Sequence, residues 1–297
     1  MKKERYDDNF STYHPLINFI YYFSVIVLSM FLMHPVLVCI SLLGSMAYSF
    51  YLKGVKSLKF NILYMLPIII VLALINPLVS HEGGTVLFYL NDNPITMEAA
   101  IYGAVSAVMF ISVLIWFTSY NVIMTSDKFT YLFGKIIPST SLIITMTLRL
   151  VPRFKRQIIL ISEGQKSIGR DVSNGNVFDR INHGINIISI LTSWVLENSI
   201  ETADSMKARG YGLDKRSSFN NYKFEKRDKL ILAIMIGLIL IIGSGIYMGF
   251  GRIIFYPYVQ IKTINTFSII FYASYLMLVL IPLVVDIVED VKWKLLK

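Results

Sequence analysis

Six long apolar segments dominate the hydrophobic pattern of this 297-residue chain. They cover residues 16–33, 36–52, 60–79, 95–120, 230–250 and 267–285. An apolar run of about 17–25 residues can cross roughly 30 Å of hydrocarbon as a helix, so the pattern predicts six membrane spans. Pro67 and Pro77 interrupt the third segment, and we therefore expect this span to be kinked or to end early.

The pattern changes between the fourth and fifth segments, where basic residues interrupt the apolar ones every few positions. Steps of three or four residues indicate one face of a helix, formed by Ile143, Met146, Leu150, Phe154, Ile158 and Ile161. We expect Pro152 to bend or restart this helix. The same spacing predicts a second long helix through Ile181, Ile185, Ile188, Thr192, Val195, Ser199, Thr202 and Met206.

The stretch 184–196 of the second helix carries no charge but is too short to span a bilayer. We expect it to be buried among other helices or to lie along the membrane surface. The chain is thus predicted to contain a membrane bundle (1–120), a region of long amphipathic helices (121–228) and two C-terminal spans with a basic tail (229–297).

Composition agrees with an all-α membrane protein. Hydrophobic residues make up 55% of the chain, charged residues 16%, and the mean hydropathy is +0.60, whereas soluble domains carry about a quarter charged residues. The net charge of +9 fits basic loops on the cytoplasmic side of a membrane better than a nucleic-acid partner. The one cysteine, Cys39, excludes a disulfide framework and a cysteine-based metal site.

Loop charges predict the orientation of the spans. The N-terminal segment, the loop 53–59, the central region and the C-terminal tail are basic, whereas the connections 34–35 and 80–94 contain no Lys or Arg. The positive-inside rule therefore places both termini and the central region in the cytoplasm. We expect a multi-pass membrane protein.

Two charged stripes follow the central helices. The first consists of Arg149, Arg153 and Arg156, and the second of Glu197, Glu201 and Asp204. One interpretation is that both stripes are ordinary solvated helix faces. Alternatively, the acidic stripe packs against the arginine stripe and fixes how the two helices cross, which would set geometry more than stability because exposed ion pairs contribute only about 0–1 kcal/mol.

Each central helix is followed by an arginine among small or turn-forming residues. The first motif is Gly169-Arg170-Asp171 and the second is Ala208-Arg209-Gly210. Arginine suits docking because its planar fork makes two parallel hydrogen bonds to a carboxylate or to carbonyl groups. An ordinary glycine C-cap explains the same residues, and both interpretations stay open on the sequence alone.

Several motifs together resemble a known family. The segment Ala203-Asp-Ser-Met-Lys-Ala-Arg-Gly-Tyr-Gly212 is similar to the transmembrane T component (EcfT/CbiQ-like) of energy-coupling factor (ECF) transporters, which take up vitamins or transition metals. The resemblance extends to the following stretches: Tyr13-His14-Pro15, Thr125-Ser-Asp-Lys-Phe-Thr130, Leu148-Arg149-Leu150-Val151-Pro152 and Gly164-Gln165.

The resemblance implies a non-catalytic coupling subunit. In that family, two arginine-centred motifs dock in grooves of two ATP-binding-cassette ATPases, and the T component transmits their motion to a substrate-binding S component. Arg209 with Ala208 and Gly210 matches the second motif. A gapless match places Ile168 at the first arginine position, and we take Arg170, two residues later, as its functional equivalent. ATP and magnesium would bind to the partner ATPases, and no cofactor or metal is expected in this chain.

The sequence supports this interpretation by what it lacks. It contains no Gly-x-x-x-x-Gly-Lys-Ser/Thr loop that would hold ATP phosphates. A self-contained secondary transporter would need an ionisable residue at the centre of a span, and none is present. An intramembrane enzyme is a third possibility, but the four histidines are scattered and form no His-Glu-x-x-His motif. The vitamin or metal carried would be chosen by the S component.

One further feature has two explanations. Ser41, Gly44 and Ser45 form a small-residue face on the second span, and such faces allow close approach of another helix. The two explanations are contact with a helix of the S component and packing against another helix of this chain.

Overall fold

The computed structural model describes residues 8–90, 92–134, 138–211, 222–261 and 265–295. Its helices are α1 (Pro15–Phe31), α2 (Pro35–Lys53), α3 (Val55–Phe60), α4 (Leu66–Val79), α5 (Met97–Ile123), α6 (Ser126–Gly134), α7 (Pro138–Ser167), α8 (Val177–Ala208), α9 (Lys226–Tyr247) and α10 (Thr266–Leu295). Its strands form two antiparallel hairpins, β1 (Val86–Leu90) with β2 (Asn93–Thr96) and β3 (Ile253–Ile254) with β4 (Gln260–Ile261). Three predicted features fall partly outside these residues: the basic N-terminus (1–7), Gly212 of the second motif and the end of the basic tail (296–297).

The predicted class, an all-α membrane protein, is confirmed. Four helices are long and apolar enough to cross a membrane: α2, α5, α9 and α10. Two shorter apolar helices, Pro15–Phe31 and Leu63–Val79, correspond to the predicted first and third spans. All six apolar segments of the sequence are therefore helical over most of their length.

The third segment does not end early at its prolines, because α4 continues to Val79, the last residue of the segment, and a kink at the prolines stays a prediction. A turn of π-helix, Asn61–Met65, separates α3 from α4. Pro67 lies in the first turn of α4. Backbone N–H groups in the first turn have no partner within the helix, so the missing N–H of proline breaks no hydrogen bond there. Pro77 lies within α4, which ends two residues later at Val79.

The connection 80–94 and the start of the fourth span differ from the prediction. Residues 86–96 form the β1–β2 hairpin, so Ile95 belongs to a strand and α5 begins at Met97. The side chain of Thr96 caps α5 by accepting a hydrogen bond from the backbone N–H of Ala99 (3.4 Å). The backbone N–H of Gly84 donates to the carbonyl of Pro257 (2.8 Å), and this bond joins the connection to the loop between β3 and β4.

The chain divides into two compact units. One contains residues 1–125 and 222–297, and the other contains residues 126–221. The first unit is the membrane bundle, in which α5 packs against α1, α2 and α4, and α10 packs against α2 and α9. The two C-terminal spans are therefore part of the bundle.

The N-terminal segment ties α10 into this bundle. The backbone N–H of Phe10 donates to Asp286 Oδ1 (2.8 Å), and the side-chain amide of Asn9 donates to Asp290 (3.1 Å). The hydroxyl of Tyr51 in α2 donates to the other oxygen of Asp290 (2.6 Å). The end of α10 is thus held by the segment before α1 and by α2.

A buried polar network joins four helices in the centre of the bundle. The Ser29 hydroxyl lies 2.8 Å from that of Ser41 and 3.0 Å from that of Tyr275. The indole N–H of Trp116 donates to Ser41 (3.1 Å), and the Ser41 hydroxyl donates to Ser112 (3.4 Å). Because hydrocarbon offers no hydrogen bonds, these groups satisfy each other inside the protein.

The small-residue face of α2 serves internal packing. Ser41, Gly44 and Ser45 are all buried within the bundle. A Cβ placed on Gly44 would meet the side chain of Val279 in α10 and approach that of Trp116 in α5. Of the two explanations that the sequence left open, the structure therefore favours close approach of another helix of this chain.

We predict that Gly44→Val destabilises the bundle, because the added side chain overlaps Val279. Overpacking of a well-packed core costs about 1–3 kcal/mol. The measurement is the midpoint of thermal unfolding in mild detergent, followed by fluorescence-detected size exclusion. The control is Leu43→Val at the neighbouring position, which is 67% exposed and should leave the midpoint unchanged. Equal midpoints for Gly44→Val and the wild type would contradict the packing assignment.

Candidate functional site

The second unit is built around two helices, α7 and α8, of 30 and 32 residues. A capping box starts α8: Asn176 accepts from the first-turn backbone, and Asp179 accepts from the backbone N–H of Asn176 (3.2 Å). Of the two outcomes predicted for Pro152, the restart of the first central helix is wrong, because α7 continues through Pro152, and the bend stays a prediction. A proline inside a helix costs about 3 kcal/mol, which the remaining hydrogen bonds of a long helix can offset.

The uncharged stretch of α8 is not buried among other helices of this chain. Ile187 is the buried side chain of α8, whereas Ile185, Ile188, Ile190 and Leu196 are exposed. That part of the prediction is wrong, because the described residues do not bury these four apolar side chains. The alternative, that this stretch lies along the membrane surface, stays a prediction.

Aromatic side chains meet where α7 packs on α8. The rings of Phe154 and Trp194 lie 6.1 Å apart in an edge-to-face arrangement (79°), a geometry that aromatic pairs prefer. The guanidinium carbon of Arg153 lies 5.3 Å from the centre of the same Trp194 ring, within the range of a cation–π interaction. Phe154 and Trp194 are each about four turns, or roughly 20 Å, from the C-terminal end of their own helix.

The charged stripes make different contacts from those expected of an ionic crossing. Within residues 138–211, the ion pair that the structure shows joins Lys166 to Asp171 (3.4 Å), and none joins the arginine stripe to the acidic stripe. Of the arginines, Arg153 contacts Trp194. A role in the crossing for the other five residues stays a prediction: Arg149, Arg156, Glu197, Glu201 and Asp204.

The first motif forms a glycine C-cap. The backbone N–H of Gly169 donates to the carbonyl of Lys166 (3.0 Å), and that of Arg170 donates to the carbonyl of Gln165 (2.9 Å). Gly169 has φ of 80°, a left-handed conformation that glycine adopts without penalty. This pair of bonds is the Schellman motif, which stops a helix and satisfies its last carbonyls. We call residues 168–171 the first tip.

The second motif ends α8 in the same way. The backbone N–H of Gly210 donates to the carbonyl of Lys207 (3.0 Å), and that of Tyr211 donates to the carbonyl of Met206 (3.0 Å). Gly210 has φ of 82°. We call residues 208–211 the second tip. The glycine C-cap and the exposed arginine coexist at each tip, because Arg170 and Arg209 are both exposed.

Matching hydrogen bonds give the register of the two tips. Gly169 and Gly210 occupy the same position in the Schellman motif, so Ile168 corresponds to Arg209 and Arg170 corresponds to Tyr211. The cap bonds therefore align Ile168, and not Arg170, with Arg209, and the choice of Arg170 as the docking residue stays a prediction. The sequence could not decide between Ile168 and Arg170 because the cap bonds are not readable from residue types.

Asp171 stabilises the connection between the two helices. Its side chain accepts from the backbone N–H of Ser173 (3.0 Å) and pairs with Lys166. The hydrogen bonds from Ser173 and the neighbouring Lys166 lower the pKa of Asp171. The side chain of Arg180 donates to the carbonyl of Val172 (2.8 Å) from the start of α8. Asp171 therefore shapes the first tip through contacts within the chain.

A family model matches this chain over residues 10–219 and is described as CbiQ, cobalt transport protein. The chain belongs to the CbiQ family. Both tips fall inside the match, and α9 and α10 fall outside it. In this CbiQ member, those two helices nevertheless pack into the membrane bundle.

Curated relatives of this CbiQ member carry the name energy-coupling factor transporter transmembrane protein EcfT. The protein from Staphylococcus aureus is 26% identical over 204 residues, 65% of this chain and 73% of the relative. The protein from Lacticaseibacillus paracasei is 26% identical over 214 residues, 67% and 78% of the two chains. The protein from Thermotoga maritima is 25% identical over 212 residues, 69% and 75% of the two chains. The predicted family, the T component of ECF transporters, is confirmed.

We predict that Trp194→Ala loosens the crossing of α7 and α8, because it removes the ring that contacts both Phe154 and Arg153. Spin labels at positions 163 and 202, with Cys39 replaced by serine, report the distance between the two tip ends by pulsed electron resonance. The distribution should broaden in Trp194→Ala and stay close to wild type in the control, Trp194→Phe.

The same labels test the ionic alternative. If Glu201→Lys broadens the distribution and Trp194→Ala does not, then charge pairing and not the aromatic contact sets the crossing.

Proposed function

We propose that this chain is the energy-coupling subunit of an ECF-type importer, in which its two tips dock onto two ATP-binding-cassette ATPases. The observation that carries the proposal is the pair of tips. Two long helices contact each other at Trp194, and each helix ends in its own Schellman turn with an exposed arginine. The names of the EcfT relatives, as transmembrane proteins of energy-coupling factor transporters, support it.

The second tip docks through Arg209, with Ala208 and Gly210 beside it. The guanidinium of Arg209 offers two parallel donors to a carboxylate or to backbone carbonyls of the partner. The left-handed Gly210 carries no side chain, which lets a partner's backbone approach. The first tip docks through the turn that contains Gly169, Arg170 and Asp171, with Asp171 holding the shape of that turn.

The coupling mechanism follows from the stiffness of the two helices. ATP and magnesium bind to the partner ATPases, and closure of those ATPases changes the separation of their grooves. The tips follow this change, and α7 and α8 move about their aromatic contact. The subunit itself performs no chemistry; its role is mechanical transmission to the membrane bundle.

The remaining parts of the complex complete the proposal. A separate S component in the bilayer binds the vitamin or metal and is reoriented by the membrane bundle. Both termini and residues 126–221 lie on the cytoplasmic side of a prokaryotic plasma membrane, because the basic loops belong there. The β1–β2 and β3–β4 hairpins then lie on the outer side.

We predict that Arg209→Ala uncouples transport without unfolding the chain. Removing a docked arginine leaves the partner's acceptors unpaired, at a cost of roughly 2–5 kcal/mol in binding. The measurement is ATP-dependent substrate uptake by cells or proteoliposomes, together with recovery of the ATPases on affinity purification of the chain. Both should fall strongly, while the elution profile of the chain in detergent stays that of the wild type.

The matched control is Arg252→Ala, the same change at another exposed arginine in the loop next to β3. It should retain both uptake and the ATPases. Wild-type uptake by Arg209→Ala would remove Arg209 from the docking site. A chain that purifies alone and supports uptake in vesicles without ATPases would indicate a secondary transporter.

A further inference from the structure

We infer that the two tips dock by different chemistry: the first inserts an apolar side chain, Ile168, into an apolar groove of its ATPase, and the second inserts Arg209. Arg170 lies beside the first contact and does not fill the groove. This inference rests on the proposed docking function and concerns which side chain performs it at the first tip.

The first argument is positional. A residue that immediately precedes the left-handed glycine of a Schellman turn holds a fixed place relative to the helix end. Ile168 holds that place before Gly169, and Arg209 holds it before Gly210, with the same two backbone bonds after each. A partner that receives both helix ends in the same pose therefore meets isoleucine at one and arginine at the other.

The second argument is exposure. Ile168 is 64% exposed although it is a large apolar residue. The start of α8, at the other side of the same connection, adds three more exposed apolar side chains: Val177, Phe178 and Ile181. Isolated exposed apolar residues are common, but several at one connection indicate a surface that another molecule covers.

The third argument is the contrast with the second tip. At the position before the left-handed glycine, the second tip presents the charged Arg209 and the first tip presents the apolar Ile168, with the exposed Arg170 two residues later. The charges near the first tip are also mixed in sign: Lys166 pairs with Asp171, and Asp179 caps α8. An amphipathic segment that binds a membrane surface carries mainly Lys and Arg on its polar face, so these charges favour a protein groove over lipid.

The experiment uses the full chain, co-expressed with the cassette ATPases that purify with it, each under its own tag. Ile168→Asp should lower recovery of one ATPase by about tenfold or more, as expected for a central contact. Arg209→Ala should lower recovery of the other ATPase. Arg170→Ala should lower recovery of the same ATPase as Ile168→Asp but less strongly, and the conservative Ile168→Leu should retain both. The matched control is Ile200→Asp, the same change at an isoleucine of α8 with 65% exposure, which should also retain both.

A second measurement does not depend on a destabilising variant. A photoreactive amino acid, p-benzoylphenylalanine, in place of Ile168 should crosslink to an ATPase more strongly than the same group in place of Arg170. Loss of an ATPase in Arg170→Ala but not in Ile168→Asp would overturn the inference, and so would crosslinks from position 168 to lipid alone. If Arg209→Ala releases an ATPase and Ile168→Asp releases none, the inference is wrong and the docking function stands. If every variant keeps both ATPases, the docking function is wrong as well.

Discussion

The contact between Trp194 and the residues Phe154 and Arg153 is the interaction on which the second unit, residues 126–221, depends. Two helices of 30 and 32 residues have exposed surfaces along most of their length, and this aromatic contact is where their side chains meet with defined geometry. Because each C-terminal end is about four turns beyond it, a small rotation there moves each tip by several ångströms.

The structure of the membrane bundle depends on a different constraint: hydrocarbon offers no hydrogen-bond partners, so buried polar groups must bond to each other. Ser29, Ser41 and Trp116 satisfy each other and Tyr275 inside the bundle, and Gly44 lets α2 approach α10. The bundle thereby includes α10, which lies outside the matched family region. The proposed coupling function requires a bundle that moves as one body, and these internal contacts support that proposal.

The sequence predicted the apolar helices, the central pair and both tips because each depends on local pattern: runs of apolar residues, steps of three or four, and arginine beside glycine. It failed where the outcome depends on bonds distant in the chain or on competing energies. The hydrogen bond from Gly84 to Pro257 joins the segment before β1 to the loop between β3 and β4, which is distant in the chain. Pro152 remains within α7 because the rest of that helix outweighs one missing bond. The alignment of Ile168 with Arg209 required the hydrogen bonds of the two caps.

The most direct test of the central claim is the distance between the two tip ends in the assembled complex with and without ATP. The spin labels at Glu163 and Thr202 lie about one and a half turns before the two tips, and both positions are exposed. If the chain transmits the motion of its ATPases, adding ATP and magnesium shifts the distance distribution, and the isolated chain shows no shift. An unchanged distribution in a complex that hydrolyses ATP and transports substrate would contradict the account.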